Sequence, residues 1–256
     1  MIKELKKEWL FAIRNGRLFI LLMSFMFLAI LTPIMLKVIL PEILKWQFPS
    51  FSPEDLSMMI NASHLTSIQG FMSDVFELGL IIIVFSLCGI LAQELRDNTF
   101  VLPLVSGNKF AHMIAAKLSV FGFTLMIIVL LTILINYAYS GVLFEFDVAF
   151  TDVLISGILL GFYMVYIIAN LIMWGALLKR TLPAGFITLV VAYLIHALGS
   201  LFDIHRFLPS GLIHLSSQFQ FEWLPIVSTI GITLLVMVAM MTVTHTVLKR
   251  MEHNIR

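Results

Sequence analysis

The chain opens with MIKELKKEWLFAIRNGR (residues 1–17), a charged stretch that leads directly into LFILLMSFMFLAILTPIMLKVIL (residues 18–40). The second stretch is long enough to cross a bilayer as a helix, for which about 20 apolar residues suffice. Similar apolar runs recur along the 256 residues, of which 60% are hydrophobic and 12% are charged. A soluble domain is usually about half apolar and a quarter charged. The composition therefore predicts an all-α polytopic membrane protein with a single domain over residues 1–256.

Six apolar runs have about the length that a membrane span requires. They are Leu18–Leu40, Val75–Leu91, Met113–Tyr139, Val153–Leu177, Leu182–Leu198 and Leu224–Leu248. Pro33 predicts a kink in the first span, because proline removes a helical hydrogen bond. Pro183 lies in the short fifth span and predicts a broken or tilted helix there.

Residues 1–17 have the pattern of an amphipathic helix at a membrane interface. Apolar residues recur at helical spacing: Ile2, Leu5, Trp9 and Ile13. Cations cover the other faces: Lys3, Lys6, Lys7 and Arg14. We expect an interfacial elbow helix whose apolar side enters the membrane while Lys3, Lys6 and Lys7 lie near anionic lipid. The alternative is a basic segment that only sets the orientation of the first span.

The distribution of cations predicts the orientation of the chain. With an even number of spans, thirteen of the sixteen lysines and arginines lie on the side that carries both termini. The exceptions are Lys37, Lys45 and Arg206. The positive-inside rule therefore predicts a multi-pass protein of the cell membrane with both termini in the cytoplasm.

Two connections on the opposite side are longer than simple turns. Ser52-Pro53-Glu54-Asp55 combines an N-cap residue, a proline and acids, and predicts the start of a short helix. The segment 199–223 mixes polar and apolar residues around a break at Pro209-Ser210-Gly211. There we expect two short re-entrant helices in the outer leaflet before the last span; an ordinary lid over the helix ends is the alternative.

The connection between the second and third predicted spans is the most distinctive segment. It reads QELRDNTFVLPLVSGNK (residues 93–109), charged at its start and apolar afterwards. This pattern favours a short amphipathic helix along the cytoplasmic surface over residues 94–110. Such a helix would offer Glu94, Arg96 and Asp97 to water or to a partner, with Phe100 packed below.

This segment and the layout around it resemble the permease subunits of type-2 ABC transporters. Members of that family have an interfacial elbow helix, six spans and a cytoplasmic coupling helix between spans two and three. The residues that fall on the positions of the family's loop are Glu94, Thr99-Phe100, Ser106, Lys109 and Lys117-Leu118. The chain departs from the family at Asn98, Gly107 and Ala116, where glycine, proline and glycine are usual.

The resemblance implies a permease of the bacterial plasma membrane that pairs with a second copy or a paralogue and with two ATPase subunits. Coupling to the ATPase is expected of Glu94, Arg96, Asp97, Thr99, Phe100 and Lys109; the alternative is a solvated, charge-capped turn. The chain has no G-x-x-x-x-G-K-[ST] sequence to bind nucleotide phosphates. ATP and Mg²⁺ are therefore expected in the partner, and this chain is expected to hold no cofactor, to be no enzyme and to bind no nucleic acid.

Polar residues elsewhere support weaker predictions. Tyr163, Tyr166 and Asn170 share one helical face, which could line a substrate path between two permeases or form hydrogen bonds to adjacent helices. His196 lies within the fifth span, where a neutral histidine bonded to a neighbouring helix is the simplest interpretation. The seven histidines show no metal-ligand spacing such as H-E-x-x-H, so no metal site is predicted. A membrane enzyme is disfavoured, because no G-x-S-x-G elbow or paired intramembrane aspartates occur.

The spans carry little charge in a chain with 15 methionines and 22 phenylalanines. They favour a hydrophobic or amphipathic cargo, and we expect a peptide such as a toxin, bacteriocin or antimicrobial peptide. Lipid or drug export is the alternative within the family. Outside the family, the alternative is an ATP-independent secondary carrier or a membrane anchor subunit. A carrier would be expected to have internal repeats and ionisable residues near mid-membrane, and neither is clear in the sequence.

Overall fold

The computed structural model describes residues 2–48, 62–97, 99, 110–219 and 221–255. These residues form helices and connections, with no strand among them. The helices are α1 (Ile2–Arg14), α2 (Arg17–Gln47), α3 (His64–Arg96), α4 (Phe110–Phe144), α5 (Phe150–Leu178), α6 (Thr181–Phe202), α7 (Gly211–Gln218) and α8 (Trp223–Ile255). The prediction of an all-α polytopic membrane protein is confirmed.

Six of these helices are long and apolar enough to cross a membrane within the described part of the chain: α2, α3, α4, α5, α6 and α8. Each agrees with a predicted span, and all six are longer than predicted. The largest difference is in α3, which begins at His64 rather than Val75 because Ser63 caps it, accepting a hydrogen bond from the Thr66 amide at 3.1 Å. Successive spans alternate in direction, so both described chain ends lie at one end of the bundle, called here the termini end; the other is the opposite end.

The core of the bundle lies around α5. It packs against α4, α6, α7, α8 and the last turns of α3. In the most apolar 18-residue stretch of α5, 78% of the residues are buried, compared with 28% in the corresponding stretches of α6 and α8. Because α6 and α8 keep most of their apolar surface outside, these two helices form the periphery of the bundle and α5 forms its axis.

Pro33 and Pro183, two of the prolines in predicted spans, have different effects. Pro33 lies inside α2, and a π-helical turn over Met35–Ile39 follows it directly. Such a turn re-pairs the backbone around an irregularity. Pro183 lies in the first turn of α6, where its missing amide hydrogen would have had no helical partner. Of the two predicted alternatives for the fifth span, the broken helix is therefore wrong, because α6 is continuous from Thr181 to Phe202. The tilted helix stays a prediction.

The connection before the last span differs in detail from the predicted pair of short helices. The fifth span extends to Phe202, a single 3₁₀ turn covers His205–Phe207, and α7 follows over Gly211–Gln218. Leu212 of α7 is fully buried. Because α7 packs against α5, this segment closes the opposite end of the bundle. The helix predicted at Ser52-Pro53-Glu54-Asp55 lies outside the described residues.

A buried ion triad as the candidate functional site

The amphipathic helix α1 lies against the start of α4 at the termini end. Glu4, Glu8 and Ala12, spaced by one helical turn, form its buried face. Trp9 and Ile13 are 46% and 53% exposed, and stay free of the protein core. The arrangement leaves these apolar side chains for a membrane surface, as the interfacial-helix hypothesis requires. Lys3, Lys6 and Lys7 are exposed as well, so the acids, rather than the cations, face the protein.

A lysine of α4 receives the acids of two other helices. The Lys117 ammonium donates to both carboxylate oxygens of Glu8, at 3.0 Å each. It also lies 3.0 Å from Oε1 of Glu94, in the last turn of α3. The Lys117 side chain is 1% exposed, that of Glu8 5% and that of Glu94 15%. Glu8, Lys117 and Glu94, called the ion triad here, therefore fasten α1, α3 and α4 together.

The charges of the ion triad are only partly balanced inside the protein. Two carboxylates share one ammonium. Among the described residues, a further cation lies nearby at Lys7, with Nζ 3.8 Å from Glu8 and 3.9 Å from Glu94. Burial raises the pKa of Glu8, while the Lys117 charge acts in the opposite direction. Oε2 of Glu94 is buried and forms no hydrogen bond with a described residue. Removing one partner of such a cluster is strongly destabilising, because a buried charge then lacks compensation.

A second polar link joins the start of α2 to the end of α3. Nη2 of Arg17 donates to Oε1 of Gln93 at 3.3 Å. Gly89 lies against this pair: a Cβ atom there would be 2.9 Å from the side-chain amide oxygen Oε1 of Gln93 and 3.5 Å from Nη2 of Arg17. With the ion triad next to it, this contact joins α1, α2, α3 and α4 at the termini end.

The structure divides the predicted coupling residues into two groups. Glu94 points inward to Lys117 and its side chain is only 15% exposed. The prediction that Glu94 faces water or a partner is therefore wrong for this conformation. Arg96 and Asp97 are exposed and form an ion pair at 3.0 Å. Thr99 closes the turn after α3, where its backbone amide donates to the Glu94 carbonyl at 3.1 Å.

The remaining predicted coupling residues, Phe100 and Lys109, lie outside the described residues, as does most of the segment 94–110. Its flanks are described, and they are the two helices that the ion triad joins: α3 ends at Arg96 and α4 begins at Phe110.

The polar face of α5 lies inside the bundle. Tyr163, Tyr166 and Asn170 are at most 1% exposed. No described residue forms a hydrogen bond with the Tyr166 hydroxyl or with either polar atom of the Asn170 amide. In this conformation the face is buried inside the bundle rather than on its surface, and Tyr166 and Asn170 form none of the predicted hydrogen bonds with described residues of adjacent helices. A buried polar group without a hydrogen-bond partner is energetically unfavourable. Two arrangements would provide partners for Tyr166 and Asn170: water molecules bound inside the bundle, or a movement of the helices that exposes this face.

The opposite end carries a polar cavity of about 450 Å³. Two histidines line it and stack face to face: the rings of His205 and His214 are 4.3 Å apart between centroids, at 8°. Burial lowers the pKa of His205, and the neighbouring imidazoles of His214 and His196 lower it further, against a smaller opposing effect of Asp203. In the part of the chain that the structure describes, no group of three or more histidine, cysteine, aspartate or glutamate side chains could hold a metal ion.

The predicted histidine of the fifth span adjoins this cavity. The His196 ring packs 4.5 Å from Phe76 and 5.8 Å from His205. Its Nδ1 forms no hydrogen bond with any described residue, so the expected bond to a neighbouring helix is missing at this atom.

Sequence reasoning missed the ion triad as a unit. Lys117 was predicted to be one of the cytoplasmic cations and to match a position of the family's loop, but not to form an ion pair, and Glu8 had no predicted role. A local signal exists, because Glu4 and Glu8 are one turn apart on a helix otherwise rich in lysine. No protein-family model, curated protein or solved structure matches this chain, so the site itself is the basis for the function that follows.

Proposed function

We propose that this chain is the transmembrane permease subunit of an ATP-driven exporter of the type-2 ABC class. The observation that carries the proposal is the ion triad, which joins both flanks of the segment between α3 and α4 to the interfacial helix α1. A partner that pushes on this segment would move three helices as a unit, because their charges are held 3.0 Å apart in a buried site.

The energy source lies in a separate subunit. The chain contains no P-loop sequence, so ATP and Mg²⁺ belong to an ATPase that docks on the cytoplasmic face. Arg96 and Asp97 are exposed charged residues at this face, two and three positions after Glu94 of the ion triad. Nucleotide binding can bias the permease only if the closed ATPase favours one helix arrangement over another. The ion triad transmits this bias, while Arg96 and Asp97 contact the partner.

A second permease completes the transporter. The outer faces of α6 and α8 expose large apolar side chains such as Phe186, Leu194 and Leu235. Lipid covers such faces in a membrane, and a second copy or a paralogue packs against part of them in the complex. Two permeases and two ATPases form the complete assembly, with all termini in the cytoplasm of a bacterial cell.

The cargo is a hydrophobic or amphipathic peptide. The buried polar face of α5 supports this, because Tyr166 and Asn170 lack hydrogen-bond partners among the described residues. When the helices around α5 separate, these groups bind the backbone of a peptide, whose apolar side chains fit the surrounding spans. The chain exports this peptide across the plasma membrane.

Co-purification from the native host tests the ATPase partner. The tagged chain, extracted in mild detergent, is expected to retain a P-loop ATPase with vanadate-sensitive turnover. An oligomer without ATPase under several gentle detergents would contradict the proposal and favour a secondary carrier or a membrane anchor.

The docking residues are tested in the same complex. The double variant Arg96→Ala/Asp97→Ala is expected to lower ATPase retention and transport while the chain still inserts. The matched control is Arg206→Ala, an exposed cation at the opposite end. Equal retention in both variants would remove Arg96 and Asp97 from the ATPase interface.

Orientation is tested by cysteine labelling in a Cys88→Ser background. Arg96→Cys should react only from the cytoplasmic side and Arg206→Cys only from outside. The reverse pattern would contradict the proposed topology.

A further inference from the structure

An apolar groove of about 570 Å³ lies between α1, α4 and α5 at the termini end. Leu5 and Trp9 line it from α1, Phe123 from α4, and Phe162 and Val165 from α5. Its volume is in the range of about 300–1,000 Å³ that is typical of small-molecule sites. Unlike such sites, it is an open channel along the membrane-facing side of the protein, because Trp9 is 46% and Phe123 64% exposed.

Two glycines shape the groove by letting α4 and α5 approach closely. A Cβ atom on Gly122 would lie 3.1 Å from the Val165 side chain, and one on Gly161 would lie 2.8 Å from Met126. Phe123 and Phe162 follow these glycines in sequence and line the groove. The small residues bring the backbones together and the aromatic residues flank the contact, so the groove follows from the packing of α4 against α5.

The groove offers an apolar chain a surface but offers a polar ligand few hydrogen bonds. The hydroxyl of Thr124, one of its few polar groups, donates to the Val120 carbonyl at 2.7 Å. From Leu118 to Met126, α4 lines the groove over about 12 Å, at ~1.5 Å per residue. That length is most of the hydrocarbon depth of one leaflet, about 15 Å. The dimensions match one acyl chain that enters from the membrane surface.

The exposed surface of α1 next to the groove is cationic. Glu8 is directed into the ion triad, so its charge does not offset the lysines outside. Lys3 and Lys6 are exposed and form no ion pair with any described residue. Trp9, which lines the groove, follows Lys6 by three residues and so lies on a neighbouring part of the α1 surface. Tryptophan favours the headgroup level of a bilayer. Positive charge beside an acyl-chain groove attracts a lipid with an anionic headgroup.

We propose that the groove between α1, α4 and α5 is a binding site for one anionic phospholipid, with an acyl chain against Trp9, Phe123 and Phe162 and the headgroup phosphate on Lys3 and Lys6. The bound lipid packs α1 against the bundle from the membrane side, as the ion triad does from the protein side. This inference is independent of ATP-driven export and applies equally to a carrier or an anchor.

Tryptophan quenching by brominated lipid tests the acyl-chain site. In the variant Trp46→Phe/Trp174→Phe/Trp223→Phe, Trp9 is the only tryptophan left of the four in the chain. The variant is reconstituted in phosphatidylcholine nanodiscs containing a small fraction of dibrominated phosphatidylglycerol, and separately the same fraction of dibrominated phosphatidylcholine. We expect Trp9 to be quenched preferentially by the anionic lipid, with a preference of roughly fivefold for each lysine that contacts the headgroup.

Two further substitutions separate the headgroup from the acyl chain. Lys3→Gln/Lys6→Gln should abolish the preference for the anionic lipid, whereas Lys45→Gln, an exposed lysine at the far end of α2, should leave it unchanged. Ser119→Phe places a ring in the groove and should displace the lipid from Trp9. Equal quenching by the two lipids, unchanged by Ser119→Phe, would show ordinary annular lipid and overturn the proposal.

Native mass spectrometry provides a test that keeps all four tryptophans. The wild-type chain, released from membranes that contain phosphatidylglycerol and phosphatidylcholine, should retain one phosphatidylglycerol, and Ser119→Phe should lose it. Equal retention of lipid by the two proteins would likewise overturn the assignment.

Discussion

The two ends of the bundle bury polar groups in opposite ways. At the termini end the groups are charged, and the Lys117 ammonium lies 3.0 Å from each of two carboxylates. At the opposite end they are imidazoles, stacked at 4.3 Å between His205 and His214 and open to a polar cavity. A buried ion cluster holds helices in one arrangement, because separating its members exposes uncompensated charge. Burial instead lowers the pKa of His205, which favours its neutral form. The termini end therefore holds helices together through paired charges, whereas the opposite end buries His205 as a group whose charged form is disfavoured.

The largest effect is expected from removing the shared cation of the ion triad. Lys117→Met leaves Glu8 and Glu94 buried without their partner and should lower the free energy of unfolding by about 3–5 kcal/mol. Unfolding in a mixed-micelle SDS titration measures this change. The matched control is Lys249→Met, an exposed lysine at the same end, which should change stability by less than ~0.5 kcal/mol.

A triple variant distinguishes lost compensation from lost packing. If uncompensated charge causes the loss, Lys117→Met/Glu8→Gln/Glu94→Gln should recover most of the stability. A triple variant no more stable than Lys117→Met would mean that the lysine side chain contributes through packing.

A smaller effect is expected at a buried hydrogen bond between α2 and α4. Asn136 of α4 donates to the Ala29 carbonyl of α2 at 2.8 Å in a fully buried site. Interhelical hydrogen bonds of this kind contribute on average ~0.6 kcal/mol and up to about 2 kcal/mol. Asn136→Leu should therefore cost about 0.6 kcal/mol, and at most about 2 kcal/mol, which is less than the Lys117→Met effect in the same titration. An equal loss would mean that the ion triad has no special role in holding the helices.

Acid should weaken the opposite end. The pKa of His205 is lowered in the folded protein by burial and by His214 and His196. The unfolded chain therefore binds a proton at a higher pH than the folded chain. The contribution of neutral His205 is fully present above the unfolded value of about 6.5 and is lost as the pH falls from there toward the folded value. Thermal unfolding between pH 7.5 and 5.5 should show this slope, and His205→Gln should reduce it. An unchanged slope would assign the response to other groups.

The smallest effect on stability is expected at the exposed pair beside the ion triad. Arg96 and Asp97 are in contact at 3.0 Å, but their side chains are 56% and 41% exposed. Exposed pairs usually contribute between 0 and about 1 kcal/mol. Arg96→Ala/Asp97→Ala should unfold almost like wild type, although it disturbs the proposed ATPase interface. A loss as large as that of Lys117→Met would show a structural role for this pair.

The spans and their order were predictable, whereas the site was predictable only in part. Apolar length is a local property, so the six spans can be located from composition over about 20 residues. The effect of Pro183 depends on how far it lies from the start of α6. Because Arg180 is the residue before the helix, Pro183 is the third residue of α6, where a proline does not break a helix. The sequence did not show where the helix begins. Glu94 was recognised as important, but its direction depends on a lysine in the next span.

By itself the sequence determined that the chain is helical, that its apolar runs are long enough to cross a membrane and that its first segment contains an amphipathic helix, which the structure bounds at Ile2–Arg14. These properties follow from hydrophobic length and periodicity, which act within one segment. Only the tertiary structure decided which face of α1 meets the protein and which charges are paired. Glu8 and Lys117 are separated by 109 positions in the chain. Their contact depends on how α1, α3 and α4 pack, and the free energy of burying charge then selects the partners that satisfy it.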